Sequence, residues 1–195
     1  AEELFDTEEA EINNALPRKP ASVEEIAQKT GRSPEDVWKI LERMAGKGLC
    51  GVSKASGRVL YRGLPFMPGI FEFVFIAGGE SERQKRIARL IQAYKKAYLE
   101  ARGVEKIDYP LTRVIPVART IKASNTIHTY DQVMTYIEKY DFIGVGACYC
   151  RQAARLRGEE LHGMPIEVCM WFGEIAKNIT ERLGGRQVSK EEAKE

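Results

Sequence analysis

Three of the four cysteines in this chain fall in one short stretch, and any fold it adopts must answer to that stretch first. One residue separates Cys148 from Cys150, and Arg151 follows at once; His162, Pro165 and Cys169 come next. Three thiols and an imidazole this close together can supply four ligands to one metal group. A secreted disulfide framework would instead spread many cysteines in an even pattern through a small chain. Four cysteines in 195 residues do not make one. The competing reading treats them as small buried apolar side chains, and for Cys50, far upstream, that is the expectation.

Thiolates select zinc, copper(I) or iron–sulfur clusters. Structural zinc sites usually place about two to four residues between paired ligands. The Cys148–Cys150 spacing is tighter than that, whereas neighbouring cysteines can each take a different iron of a cluster. The spacing therefore tilts toward iron–sulfur and leaves zinc open. Arg151, Arg155 and Arg157 lie on an expected helix over residues 150–160. Positive charge and a helix N-terminus both favour a thiolate site. Glu159 and Glu160 fit a solvated helix face equally well. Gly163 and Pro165 then break the chain, and a second helix is expected from about Pro165, with Cys169 inside it.

The stretch VGACYCRQAARLRGEELHGMPIEVCMWFG, residues 145–173, resembles the cluster motif of a family of 4Fe–4S-binding, ferredoxin-like proteins with a winged-helix N-terminus. That pattern is C-x-C-R, a helix, a third cysteine three residues before a proline, then a fourth cysteine and a glycine. Cys148, Cys150, Arg151, Pro165, Cys169 and Gly173 match it. MPGIFEF at residues 67–73 and RVIPV at residues 113–117 resemble further segments of the family, so the likeness runs from about residue 20 to 190. It implies a 4Fe–4S cluster held by Cys148, Cys150, Cys169 and His162, with Arg151 offsetting its negative charge. It also implies a role in electron transfer, or as a redox module docking to an oxidoreductase.

One position departs from the family. His162 stands where the third cysteine belongs. Either the imidazole ligates, or one iron is open to another ligand, or no cluster binds. A ligating neutral imidazole would make the site one negative charge lighter and raise its reduction potential, as in Rieske centres. In the family, a stretch like residues 187–193 begins a helix leading into a further cysteine-bearing segment.

The rest of the chain reads as an α/β (mixed α+β) protein. Residues 1–64 have the order of a winged helix. Helices are expected over residues 7–16, after a capping-box serine at Ser22, and from Ser33-Pro34 with Val37, Ile40, Leu41 and Met44 inward. Two strands then flank a turn at residues 54–57. Residues 65–147 form an expected small α/β domain. Its elements are a strand at 71–76, a long helix at 80–101, a strand at 111–121 interrupted by Pro116, a helix at 129–140 and a strand at 142–145. Ile87, Leu90, Ile91, Tyr94 and Tyr98 are the expected inner stripe of the long helix. The order β-α-β-α-β permits a parallel or mixed sheet, with the cysteine loop at one strand's carboxyl end. Residues 148–185 form the cluster segment and 186–195 a tail.

Function classes follow from composition. A net charge of +2 with 30% charged residues demands neither nucleic acid nor membrane as partner. No apolar run of about 18 residues exists to span a bilayer. The acidic start lacks the regions of a signal peptide, and a reducing cytoplasm is the expected setting. The candidate recognition helix, residues 34–47, balances Glu35, Asp36 and Glu42 against Lys39, Arg43 and Lys47. Groove-binding helices carry excess positive charge, so DNA is the weaker candidate partner and a docking role the stronger. A DNA-binding, redox-sensing regulator and a structural zinc module are the competing functions. Gly78-Gly79 lacks the lysine and serine or threonine of a phosphate loop and reads as a helix-starting turn. The basic outer face of the long helix (Arg83, Lys85, Arg86, Arg89, Lys95, Lys96, Arg102) suits an acidic redox partner or plain solvent. His128 has no evident catalytic partner, and no catalytic residues are assigned.

Overall fold

A computed structural model describes residues 2–55, 57–102 and 130–195. The expected strand at 111–121, the RVIPV segment and His128 lie outside the described residues.

The N-terminal elements follow the winged-helix order: α1 (Thr7–Ala15), α2 (Val23–Thr30), α3 (Pro34–Gly46), then the hairpin β1 (Cys50–Ala55) and β2 (Arg58–Gly63). Local chemistry sets the boundaries. Asp6 and Ser22 each close a capping box with the glutamate three residues on, Glu9 and Glu25. Ser33 caps α3, whose first residue is Pro34. Ala21 pairs with Tyr61 and adds a short third rung to the hairpin.

A π-helical turn, Phe66–Ile70, runs directly into α4 (Phe71–Ile76), followed by the long α5 (Glu82–Arg102). Here the structure corrects the expected strand at residues 71–76. A short apolar run has no periodicity that separates a buried strand from a buried helix turn. As a helix it buries Phe71, Val74, Phe75 and Ile76 together. The inner stripe of α5 also differs. Ile87 and Ile91 are buried, but Leu90, Tyr94 and Tyr98 are 55%, 52% and 45% exposed, because the second half of the helix extends beyond the core.

Next come α6 (Tyr130–Lys139), β3 (Ile143–Ala147), α7 (Tyr149–Leu156), β4 (Glu167–Phe172), α8 (Gly173–Arg182) and β5 (Arg186–Val188). The second sheet has the order β4-β3-β5 and is antiparallel throughout. This replaces the parallel or mixed sheet that the β-α-β-α-β order permitted. β4 and β5, each antiparallel to β3, run parallel to one another and are joined across it through α8. Residues 167–172, expected as a helix containing Cys169, are strand β4 instead. Glu167 and the run Cys169 to Phe172 satisfy their backbone by pairing with β3. The tail likewise forms β5 and a short 3₁₀ turn at Glu192–Lys194, not the start of a long helix.

One buried cluster crosses from the winged helix into the following elements. Ile12, Ile26, Leu41, Met44 and Leu49 share it with Phe71, Phe75, Ile87 and Leu156. The join is close at Gly48 (φ +73), where an added Cβ would lie 2.6 Å from the Phe73 carbonyl carbon. Gly31 has a similar φ of +68 but nothing within 4 Å of an added Cβ. Both substitutions carry the left-handed strain of about 1 kcal/mol; only Gly48→Ala must also displace backbone. Gly48→Ala should therefore destabilise the protein by ~2–4 kcal/mol and Gly31→Ala by only ~1 kcal/mol. Chemical denaturation of the two variants checks this; equal losses would mean that the α4 contact at Gly48 is dispensable.

Candidate metal centre

β3 is the middle strand of its sheet, and the cysteine site sits where it ends. Cys148 is the N-cap of α7, in extended backbone (φ −66, ψ 115), and its N–H donates to the Ile166 carbonyl at 2.7 Å. Cys150 lies one residue into that helix and is exposed. Cys169 comes from the neighbouring strand, paired opposite Gly146. The register shifts between Gly146 and Ala147, whose partner is Glu167, so Val168 is left without an opposite residue. A β-bulge of this kind re-aims side chains beside functional sites. It brings Cys169 to the Cys148 end of the sheet.

The Cys148 and Cys169 thiols act on one another. Burial is the largest influence on the Cys148 thiol and pushes it up. The N–H groups of Arg151 and Cys150, the Cys169 thiol and the Arg151 charge outweigh burial and hold Cys148 below the ordinary thiol range. Those N–H groups point toward the sulfur without closing a full capping bond. Cys169 moves the other way, up to about 11, from burial first and then from the neighbouring Cys148 and Cys150 sulfurs. Of two thiols that share a proton between them, the one facing N–H groups and a guanidinium ionises first.

Sequence reasoning missed Tyr149. Its hydroxyl lies against the Cys150 sulfur, and that contact, followed by burial, pushes the phenol up. The Lys95 ammonium stands 5.9 Å from the centre of its ring, which links α5 to the site. Its place between the two cysteines was a signal, but a tyrosine there reads equally as packing. Gln152 was also missed. It is fully buried, donates to the Gly79 carbonyl at 2.6 Å and accepts from Arg155 at 2.9 Å. Gly78-Gly79 thus offers carbonyls inward and leads into α5, consistent with a helix-starting turn.

His162 stands apart from the three thiols. It occupies a tight turn at φ 48, its side chain is 76% exposed, and its Nδ1 lies 3.7 Å from Glu160 Oε1. It is not among the groups that shift Cys148 or Cys169. Among the described residues, no set of three or more His, Cys, Asp or Glu side chains is arranged around a point that would hold one metal ion. The contact made is between Cys148 and Cys169, with Cys150 and Arg151 in the first turn of α7 beside it. Cys50 is elsewhere, buried under α3, its Sγ 3.6 Å from the Leu41 carbonyl and its thiol pushed up to about 12, chiefly by burial.

The basic side chains of α3 and its C-cap are paired with carboxylates. Arg43 bonds Asp6, Glu8 and Glu9, and Lys47 bonds the fully buried Glu9 at 2.7 Å. Lys39 pairs with Glu35 on its own helix. The hairpin is tied to α8 through Lys54 and Glu181 at 3.1 Å, and α3 through Glu42, which takes bonds from Tyr61 and Arg182. Trp38 is half exposed on α3. Among the described residues, no helix is long and apolar enough to cross a membrane.

Compared with protein-family models, curated proteins and solved structures, the chain has no match in any of the three.

In metal-free protein at pH 7.5, iodoacetamide should alkylate Cys148 several-fold faster than Cys169, because only the thiolate attacks. Cys50 should react only in denaturant. Peptide mass spectrometry over a time course reads all three; rapid labelling of Cys50 in native protein would contradict its burial.

Proposed function

We propose that this protein binds a 4Fe–4S cluster through Cys148, Cys150 and Cys169, and works in electron transfer or as a redox module docked to an oxidoreductase. The observation that carries this reading is that Cys169 on β4 meets Cys148 at the end of β3, with Cys150 one turn position on and Arg151 beside Cys148. The resemblance of residues 145–173 to the ferredoxin-like family supports the same assignment. Bound there, the cluster would supply one-electron chemistry. The chain's part is to present three sulfurs, shield one side with the Tyr149 ring, and balance charge with Arg151. His162 would become the fourth ligand only if its turn swung inward; otherwise the fourth iron takes a ligand from outside the thiol set.

The partner surface belongs to the same proposal. Tyr94 stacks on Tyr98 and on Phe66, with ring centres 6.1 and 6.4 Å apart, and Lys95 connects that surface to Tyr149. An aromatic surface next to the site suits a docking protein better than solvent.

A redox-sensing regulator is the second reading, favoured by the run of β4 into α8 and on to α3 and β1 through Arg182 and Glu181. The paired cations of α3 weigh against it, since phosphate contacts would have to break those pairs first.

Anaerobic reconstitution should yield brown protein with about four irons and four sulfides per chain, the content of this cluster type. Stoichiometric zinc without sulfide would reject the electron-transfer assignment in favour of a zinc module. His162→Ala should leave iron content and the electron paramagnetic resonance spectrum of the reduced protein unchanged. A three-iron product or rapid cluster loss in that variant would instead make the imidazole a ligand.

At physiological salt the protein should show no preference for any defined DNA site over random sequence. Nanomolar, site-specific binding would transfer the assignment to the regulator.

A further inference from the structure

Three arginines follow Cys150, and two of them are engaged away from the cysteines. Arg155 reaches the Glu80 carboxylate at 3.1 Å and the Gln152 amide oxygen at 2.9 Å. Arg157 pairs with Glu159 at 2.7 Å. Arg151 does neither. Its Nη1 donates to the Pro165 carbonyl at 2.6 Å, across fourteen residues of chain. Among the described residues, no carboxylate forms an ion pair with it.

Pro165 immediately precedes Ile166, the residue whose carbonyl accepts the Cys148 N–H at 2.7 Å. One side-chain bond and one backbone bond therefore fasten the first turn of α7 to the same short stretch entering β4. The first turn of α7 carries Cys148 and Cys150; β4 carries Cys169. The connection between them holds three left-handed positions, Gly158, His162 and Gly163, and ends at the bulge where Val168 lacks a cross-strand partner. An irregular connection of this kind does not fix the separation of its ends. Something else must hold the cysteines in register.

We propose that Arg151 is a positioning residue of the cysteine site. Its guanidinium clamps the α7 start to the β4 entry, so that Cys148 and Cys169 stay in reach of one another before any metal group arrives. Guanidinium suits this role for a geometric reason. It is a planar fork, and one arm bonds the Pro165 carbonyl while the rest of the charge remains free of any carboxylate among the described residues. A lysine at this position keeps the charge, but its ammonium is a point donor on a shorter side chain. The clamp rests on the reading that the three cysteines form one ligand set; it does not depend on which metal group they hold.

Two measurements separate a clamp from a counter-charge. The first uses metal-free protein carrying Cys150→Ser, treated with diamide. The Cys148 and Cys169 thiols close a disulfide, and their two electrons and two protons reduce the diazene to the hydrazine. With Arg151 present the pair should close rapidly. With Arg151→Lys or Arg151→Met it should close about tenfold more slowly, the scale of losing one charge-assisted hydrogen bond. The second uses the reconstituted full chain. Arg151→Lys should keep the parent's reduction potential but lose iron to a chelator about tenfold faster. Arg151→Met should lose iron as fast and also shift the potential downward. An Arg151→Lys protein that matches the parent in both disulfide closure and iron retention would overturn the clamp and leave Arg151 a counter-charge only. If the parent takes up no iron while disulfide closure still depends on Arg151, the cluster assignment fails and the clamp stands.

Discussion

The antiparallel pairing of β3 with β4 is the constraint on which the rest of this structure depends. β3 is central in its sheet, so its position is fixed from both sides, by β4 and by β5. Cys148 leaves the end of β3, and Cys169 stands on β4 opposite Gly146. A regular ladder would have continued past Ala147. The bulge at Val168 ends it and brings Cys169 round to Cys148. Residues some twenty positions apart in the chain thereby share one sheet end.

The same strand pair ties the cysteine site to the winged helix. β4 passes into α8 at Gly173, whose φ of +64 makes the turn. α8 lies against β3, where Gly144 leaves room for Ala176, with an added Cβ only 3.3 Å from its neighbour. Its far end bonds Glu42 and Lys54 of the winged helix. On the other side, Gly48 lets the α3–β1 turn approach the Phe73 backbone of α4. The winged helix is thus part of a continuous buried core with α4, α5 and α7.

Charge is distributed in a pattern that a tally of residues hides. The chain carries 30 basic and 28 acidic residues, near balance. On α3, Arg43 and Lys47 converge on Glu9, whose side chain is fully buried. Around the cysteines, Arg155 and Arg157 have carboxylate partners, and Arg151 has a carbonyl and a sulfur. A cation without a carboxylate partner beside a thiolate stabilises it more than a neutralised one, since the attraction is not already satisfied.

Local signals in the sequence determined the winged-helix elements, because their boundaries are set by contacts within a few residues. Ser22 with Glu25, Ser33 with Pro34, and the inward spacing of Val37, Ile40, Leu41 and Met44 all act inside one element. The closeness of Cys148, Cys150 and Cys169 along the chain was plain for the same reason, but not which of them meet. Residues 71–76 and 167–172 were not legible. Each is a short apolar run that can satisfy its backbone as helix or strand, and the choice was made by distant partners. For Phe71–Ile76 that partner was the core shared with the winged helix; for Glu167–Phe172 it was the open edge of β3. The grouping of the thiols, the isolation of His162 and the reach of Arg151 to Pro165 likewise belong to the tertiary structure. Spacing along a chain sets which donors are near in sequence, but the bulge and turn that aim them arise only when the sheet forms.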